Sequence, residues 1–161
     1  MDEFLQRLSD EHDVFIFTAA TEAYASPVLD RLDPTGCLIR GRFYRPSCLN
    51  KNGLYLKDLT KIQGKMHKKS LKRVVLVDNN PVSFVAQPEN GIPVPSFYDD
   101  VNDKALPSVN DLIDEKLSMV EDVRPVLREL FGLEAQLRKM RRQLMGDDKK
   151  EGEREEREEN I

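Results

Sequence analysis

The stretch that decides the fold is an apolar run that ends in polar residues, and it reads Arg73-Val74-Val75-Leu76-Val77-Asp78-Asn79-Asn80-Pro81. Four consecutive apolar residues, most of them β-branched, are typical of a short strand buried on both faces inside a parallel sheet. Pro81 suits the first turn of a helix that follows the strand. Because open α/β sheets bind ligands beyond the carboxyl ends of their strands, the position of Asp78 and Asn79 favours a binding site.

Two interpretations of Asp78 and Asn79 are open at this point. Their side chains supply hard oxygen atoms, which are the ligands that Mg²⁺ prefers. Asp and Asn are also preferred N-caps, so the pair could simply begin the helix after the strand. The strand end alone does not decide between a metal site and a cap.

A second buried strand is predicted over residues 14–17, which are all apolar and are followed by Thr18. A helix is predicted from a cap at Thr21 to about Leu32, and a short helix precedes the strand at residues 2–9. Strands that alternate with helices along the chain indicate an α/β protein with a parallel sheet.

The segment between these units predicts a β-hairpin. Residues 40–45 and 53–57 look like two short strands, and Asn52-Gly53 lies between them. The Asn-Gly dipeptide is a common hairpin connection. A hairpin inserted between α/β units could determine specificity, or it could be a plain surface hairpin.

The C-terminal part of the chain is predicted to be helical and then to lose its apolar residues. Amphipathic helices are expected at residues 103–119 and 122–130. After Gly132, the apolar residues stand among Arg and Lys and predict a helix that lies on a partner protein or on the domain: Leu133, Leu137, Met140 and Leu144. Residues 147–160 contain no apolar side chain, which predicts a disordered or frayed helical tail. We therefore expect a domain over residues 1–131 and a charged tail over residues 132–161.

The composition limits the class of protein. Residues 147–161 carry 8 acidic and 4 basic side chains, whereas residues 1–146 carry 21 of each, so the body is neutral and direct nucleic-acid binding is not expected. No apolar run approaches the roughly 20 residues that span a bilayer, and no signal peptide pattern is present. Cys37 and Cys48 form no CxxC and, with His12 and His67, have the wrong spacing for zinc. We expect reduced thiols and an intracellular protein.

Several short motifs, taken together, resemble the small C-terminal-domain phosphatases, which carry the FCP-homology domain of the haloacid-dehalogenase superfamily. The matching motifs follow one another in order: Phe17-Thr18-Ala19, Tyr44-Arg45 with Ser47-Cys48, Tyr55-Leu56-Lys57-Asp58-Leu59, Val77-Asp78-Asn79-Asn80-Pro81, Gln87-Pro88-Glu89-Asn90-Gly91-Ile92-Pro93 and Asp122-Val123-Arg124. The resemblance covers roughly residues 2–131. It implies a Rossmann-like haloacid-dehalogenase α/β fold with an inserted β-hairpin.

The resemblance also implies an activity, a cofactor and a set of site residues. Members of the family hydrolyse phosphoserine and phosphothreonine in proteins through an aspartyl-phosphate, with Mg²⁺ bound beside the phosphate. By position, Thr18 would donate its hydroxyl to a phosphate oxygen, and Lys57 would neutralise charge on the phosphoryl group. Asn79 would be a metal ligand through its amide oxygen, and Asp78 would orient Lys57 or a metal-bound water.

Arg45 and Tyr24 are the residues expected to contact the phosphopeptide. The structural alternative for Arg45 is a solvated arginine on the hairpin, and for Tyr24 it is a half-buried helix aromatic. The C-terminal helix could in addition bind a protein partner. The family's compartments favour the nucleus or cytoplasm over the mitochondrion.

The sequence departs from the family at the nucleophile. The family's Asp-x-Asp-x-Thr motif follows its first strand, and that motif does not occur in these 161 residues. In this fold the first strand is central, between the strands predicted at 14–17 and 74–77. Without it, those two strands would have to pair directly or leave buried backbone groups unpaired, at a cost of about 1–3 kcal/mol each. Because the other site residues of the family are all present, we expect the chain to be the downstream part of a longer phosphatase. The alternative is a non-catalytic binding module, such as a mitochondrial presequence-import receptor with the same domain.

Overall fold

A computed structural model describes residues 2–68 and 70–146. The tail predicted for residues 147–161 lies outside the described residues. No helix in the part of the chain that is described is long and apolar enough to cross a membrane.

The described chain alternates helices with short strands. The helices are α1 (Asp2–Glu11), α2 (Glu22–Leu32), α3 (Leu59–Gln63), α4 (Ala105–Leu112), α5 (Arg124–Phe131) and α6 (Leu133–Met145). The strands are β1 (Phe15–Phe17), β2 (Gly41–Phe43), β3 (Leu49–Lys51), β4 (Leu54–Leu56), β5 (Leu76–Asp78) and β6 (Gly91–Pro93). Short 3₁₀ helices lie at Arg45–Ser47, Leu71–Arg73, Pro81–Phe84 and Pro88–Asn90. The predicted α/β class is confirmed.

The strands that lead to Thr18 and Asp78 pair in parallel, each with one neighbour in the described residues. In the described residues β1 pairs with β2, with Phe15 opposite Gly41, and β5 pairs with β6, with Leu76 opposite Gly91. The strands β1 and β5 belong to separate two-stranded sheets. That a further, central strand lies between them stays a prediction.

The predicted first arm of the hairpin is wrong. Gly41–Phe43 is β2 and runs parallel to β1, where the ring of Phe43 lies 5.9 Å from that of Phe15 between centroids. The antiparallel pair is formed by β3 and β4, with Leu49 opposite Leu56. Asn52 and Gly53 connect them with φ of 53° and 82°, the left-handed conformation that a tight hairpin turn requires. The aromatic contact between β1 and β2 is a tertiary one, which short-range alternation cannot show.

The helix predicted at 103–119 changes its hydrogen-bonding pattern partway. The α-helix α4 ends at Leu112, and Ile113–Leu117 continues as a π-helical turn. Its last hydrogen bond runs 2.8 Å from the Ser118 amide to the Ile113 carbonyl. Arg73, which lies just before β5, also donates to the carbonyls of Leu117 and Val120. These hydrogen bonds hold the end of the π-helical turn.

The core positions the strand ends that carry the predicted site residues. One buried cluster joins β2, α3, β5 and α6, and it consists of Phe43, Leu59, Ile62, Met66, Val74, Leu76, Phe84, Leu133 and Leu137. A second cluster packs α4 and α5 against β6. The helix α6 contributes Leu133 and Leu137, which are 7% and 6% exposed, so α6 packs on the body of the protein. The division of the chain at residue 131 stays a prediction.

Candidate active site

A buried ion pair links the ends of two strands. Strand β4 ends at Leu56, which is fully buried, and Lys57 follows it. Strand β5 ends at Asp78, and the Lys57 ammonium group donates to Asp78 Oδ2. The side chains of Lys57 and Asp78 are 13% and 7% exposed. Because each charge is largely removed from water, each depends on the other for compensation.

Asn80, not Asp78 or Asn79, caps the following helix. Asn80 Oδ1 accepts a hydrogen bond of 3.0 Å from the Val82 amide at the start of the 3₁₀ helix Pro81–Phe84. Asp78 Oδ1 accepts one of 2.8 Å from the Asn80 amide, which shapes the turn between strand and helix. The cap interpretation therefore applies one residue later than the sequence indicates.

Asn79 is exposed at the carboxyl end of β5. Its amide nitrogen donates to Ser96 Oγ over 2.9 Å. This hydrogen bond uses the nitrogen of the amide, so the oxygen is the atom that remains to bind a cation. Ser96 follows β6, which means that the neighbouring strand orients the Asn79 side chain.

Thr18 lies at the end of β1 and is partly buried. Its amide donates to the Phe43 carbonyl over 2.8 Å, and its Oγ1 accepts from the Ala20 amide over 3.0 Å. A hydroxyl that accepts in this way keeps its own hydrogen for donation to another acceptor.

Arg45, which follows β2, forms hydrogen bonds with the segment that follows β1. Its amide donates to the Ala20 carbonyl over 3.0 Å, and its Nε donates to the Ala19 carbonyl over 2.7 Å. The guanidinium carbon lies 5.0 Å from the centroid of the Tyr55 ring, a cation–π contact. Arg45 is thus exposed and at the same time held by these contacts, and its predicted contact with a phosphopeptide stays a prediction.

Cys48 lies between the segments that carry Thr18 and Lys57. Its buried Sγ lies 3.7 Å from the Thr18 carbonyl oxygen. Burial raises the pKa of the Cys48 thiol, the charges of Lys57 and Arg45 partly lower it, and Asp78 adds to the rise. Cys48 thus contacts the Thr18 segment, and it precedes Leu49, which pairs with Leu56 beside Lys57. Sequence reasoning gave Cys48 no role, and its only signal was its place in the motif Tyr44-Arg45 with Ser47-Cys48.

Tyr24 is separate from this group. Its side chain on α2 is 75% exposed, so the alternative of a half-buried aromatic is wrong. Among the described residues, no hydrogen bond joins it to Thr18 or Lys57. A 2.9 Å hydrogen bond between Ser26 Oγ and the Tyr44 hydroxyl joins α2 to the residue before Arg45.

Asp58 and Gln87 were also missed from the sequence, although both stand in quoted motifs. Asp58 is 8% exposed and lies next to Lys57. Gln87 Nε2 donates to Asp58 Oδ1 over 2.9 Å, and Gln87 Oε1 accepts from the Leu59 amide over 2.8 Å. The residues are 29 positions apart, so no local pattern could have indicated the contact.

The donor atoms at the end of β5 suit a hard cation but are too few to enclose one. Asp78 and Asn79 offer a carboxylate and an amide oxygen, the ligand types that Mg²⁺ prefers. Among the described residues, the group of three His, Cys, Asp or Glu side chains with ligand atoms within 4.8 Å is elsewhere, at Glu11, His12 and Asp114. The remaining ligands of an ion at Asp78 would have to be water, phosphate or other protein groups.

Comparison with known proteins defines the class as phosphatase. Residues 1–124 match the sequence model of the family described as NLI interacting factor-like phosphatase. CTD small phosphatase-like protein 2 of Dictyostelium discoideum is 45% identical over 132 residues, covering 82% of this chain and 22% of the relative. Carboxy-terminal domain RNA polymerase II polypeptide A small phosphatase 1 of Homo sapiens is 41% identical over 131 residues, covering 80% of this chain and 47% of the relative. Phosphatase Herzog of Drosophila melanogaster is 40% identical over 127 residues, covering 79% of this chain and 34% of the relative.

The chain belongs to the NLI interacting factor-like phosphatase family. The predicted resemblance to the small C-terminal-domain phosphatases is confirmed. The chain spans less than half the length of these three relatives.

Proposed function

We propose that this chain carries the phosphate-binding and metal-binding part of a Mg²⁺-dependent protein serine/threonine phosphatase that acts through an aspartyl-phosphate. The observation that carries the proposal is the buried pair of Lys57 and Asp78 at two strand ends. The Thr18 segment is next to it through Cys48, whose Sγ lies 3.7 Å from the Thr18 carbonyl oxygen and which precedes Leu49, the partner of Leu56. Such a group of one cation and one hydroxyl donor beside a carboxylate suits a tetrahedral anion. The membership in a phosphatase family supports the same conclusion.

Thr18 and Lys57 would act directly on the phosphoryl group. The Thr18 hydroxyl, held as an acceptor by the Ala20 amide, would donate to a phosphate oxygen. The Lys57 ammonium group, one of whose hydrogens goes to Asp78, has two further donors for phosphate oxygens. A compact ammonium charge in a low-dielectric site stabilises the charge that develops during phosphoryl transfer.

Asp78 and Asn79 would hold Mg²⁺ through their oxygen atoms. When bound, the ion offsets negative charge on the phosphoryl group. Asn79 is oriented for this by Ser96, and Asp78 by the Asn80 amide. Asp78 would at the same time keep Lys57 in place.

The nucleophile would come from an aspartate on a strand between β1 and β5. Each of these strands has one neighbour in the described residues, so the other edge of each strand could pair with a further strand. A carboxylate oxygen of that aspartate would attack the phosphorus of phosphoserine or phosphothreonine. The serine or threonine oxygen would leave with a proton from a second aspartate two residues on, and water would then hydrolyse the acyl phosphate.

The substrate would be a phosphorylated protein, with Arg45 and Tyr24 as its contacts. Arg45 has exposed surface beside the Thr18 turn, and Tyr24 exposes an aromatic ring on α2. A human relative is named for the carboxy-terminal domain of RNA polymerase II, and for this chain we infer only the phosphoprotein class. The location would be the nucleus or cytoplasm. The names of the relatives do not favour the presequence receptor.

The test joins a strand that ends in the Asp-x-Asp-x-Thr motif expected from the family resemblance to the N-terminus of this chain, and it compares the joined protein with the chain alone. We expect the joined protein to hydrolyse a phosphoserine peptide only with Mg²⁺. Replacing Lys57→Ala should abolish the activity, whereas Lys61→Ala, an exposed lysine on α3, should leave it unchanged. A folded, joined protein that is inactive with Mg²⁺, or equally active after Lys57→Ala, would refute the proposal.

A further inference from the structure

Asp58 fixes the backbone directly after Lys57. It precedes α3, and its Oδ1 accepts from the Thr60 amide over 3.0 Å and from the Thr60 hydroxyl over 2.6 Å. The same oxygen accepts from Gln87 Nε2 over 2.9 Å. With three donors on one buried oxygen, the start of α3 has a single well-defined conformation.

The Gln87 side-chain amide forms hydrogen bonds with Asp58 and Leu59, the two residues that follow Lys57. It donates to the side chain of Asp58 and accepts from the amide of Leu59. A primary amide can make both bonds at once because its nitrogen donates and its oxygen accepts. The position of Gln87 therefore determines where the main chain leaves Lys57.

The turn after Gln87 is tied to the strand that carries Asp78. Asn90, 2% exposed, donates to the carbonyls of Leu71 and Val74 over 2.8 and 2.7 Å. Those carbonyls precede β5, and Gly91 pairs with Leu76 in β5 itself. The segment from Gln87 to Gly91 thus contacts the loop after Lys57 at its start and the strand that carries Asp78 at its end.

This segment has little room to move. A Cβ on Gly91 would lie 2.6 Å from Phe84 Cδ1 and 2.7 Å from Leu133 Cδ1. Pro88 at the first position of the 3₁₀ helix Pro88–Asn90 further restricts the backbone. The segment is therefore a rigid spacer between the two charged residues.

We infer that Asp58 and Gln87 are positioning residues that hold Lys57 against Asp78. The inference deepens the proposed function and rests on it for the role of Lys57 toward phosphate. A lysine has a flexible four-carbon stem, so its ammonium group is placed accurately only where its main chain is fixed. Asp58 and Gln87 provide that fixed point through their hydrogen bonds to the loop after Lys57.

The first measurement follows Lys57 without any assay of activity. The full 161-residue chain and its Gln87→Ala variant are treated briefly with acetic anhydride, and acetylation of each lysine is quantified by mass spectrometry. Losing two hydrogen bonds at the Lys57 loop should raise acetylation of Lys57 by about fivefold or more. Acetylation of the exposed Lys104 and Lys116 should stay unchanged.

Two further variants control the result. Gln136 lies on α6, and its Nε2 donates to the Phe131 carbonyl over 2.8 Å. The variant Gln136→Ala should not alter the acetylation of Lys57. Gln87→Glu keeps the acceptor for the Leu59 amide but places a second carboxylate against that of Asp58. The two carboxylates repel each other, so this variant should also raise the acetylation of Lys57. It serves in place of Gln87→Ala if that variant does not fold.

A folded Gln87 variant with unchanged acetylation of Lys57, or with an equal rise at all lysines, would overturn the inference. Inorganic phosphate binding, measured by calorimetry, separates the two proposals. We expect about fivefold weaker binding in Gln87→Ala, in step with the exposure of Lys57. If the unaltered chain binds no phosphate while Lys57 is selectively exposed by Gln87→Ala, the positioning role stands and the proposed function fails.

Discussion

The Lys57 ammonium group donates a hydrogen bond to Asp78 Oδ2, and the two side chains are 13% and 7% exposed. Lys57 directly follows strand β4 and Asp78 ends strand β5, and these strands belong to different sheets. Their pairing therefore joins two parts of the fold at the proposed site. Since both charges are largely desolvated, removal of one leaves the other without compensation.

We expect the variants Lys57→Met and Asp78→Asn each to lower the free energy of unfolding by about 3–5 kcal/mol, the cost of an unpaired buried charge. The double variant should be less destabilised than the sum of the two, because it leaves neither charge alone. Urea unfolding of all four proteins measures this difference. Strict additivity would show that the two groups do not interact.

Thr18 allows a test of the hydroxyl alone. The change Thr18→Val removes a donor to phosphate but keeps the shape, so we expect inorganic phosphate to bind about tenfold or more weakly, as for loss of a hydrogen bond to a charged group. Thr18→Ser keeps the hydroxyl and should bind about as well as the unaltered chain. Calorimetry measures both affinities.

The control for Thr18 is Thr35→Val, which removes a hydroxyl that donates to Asp33 over 3.3 Å. It should leave phosphate binding unchanged. Equal affinities of the Thr18 valine and serine variants would show that the Thr18 hydroxyl does not contact phosphate.

The strands and their polar ends could be predicted from the sequence because both follow from short-range chemistry. An apolar run of four residues can form little else than a buried strand or helix, and its length favours the strand. Polar residues at the carboxyl end of a buried strand were expected to form a binding site, and the family resemblance implied that Thr18 and Asp78 belong to the same one. Where these strands lie relative to each other was beyond the same argument.

The contacts that depend on tertiary structure were not predictable. The pairing of β2 with β1 rests on the ring of Phe43 against Phe15, which sequence alternation does not show. The contact of Asp78 with Lys57, a partner 21 residues away, could not be read from the strand end, and the cap is Asn80, directly before the helix. The bond between Gln87 and Asp58 is of the same long-range kind.

Gly91 should not tolerate a side chain. We expect Gly91→Ala to lower the free energy of unfolding by about 1–3 kcal/mol, because the new methyl would overlap the buried ring of Phe84. Gly64→Ala is the matched control, since no atom lies within 4 Å of its Cβ position and its φ of −63° is helical. It should be neutral or stabilising by up to about 1 kcal/mol. Urea unfolding that shows Gly91→Ala as stable as Gly64→Ala would contradict the rigid packing of this turn.

Asp33 makes the stability of the chain depend on pH. It lies after α2, is 3% exposed, and accepts hydrogen bonds from the amides of Cys37, Leu38 and Ile39. Burial alone would raise the pKa of Asp33, but these amides and the Thr35 hydroxyl outweigh it and lower the pKa below the usual aspartate value.

The sign of the effect follows from that lowered pKa. The unfolded chain takes up the proton at a higher pH than the folded chain does, so acid favours unfolding. The stabilisation by Asp33 is complete above the unfolded pKa of about 3.9 and is lost as the pH falls through the lower folded value. We expect Asp33→Ala to melt at a lower temperature than the unaltered chain at neutral pH, with a difference that narrows below about pH 4. Asp99→Ala, an exposed aspartate on the loop after β6, should show neither effect. Thermal unfolding followed by circular dichroism across this range measures the difference, and a gap that stays constant down to about pH 2 would mean that the Asp33 carboxylate is not what holds the turn after α2.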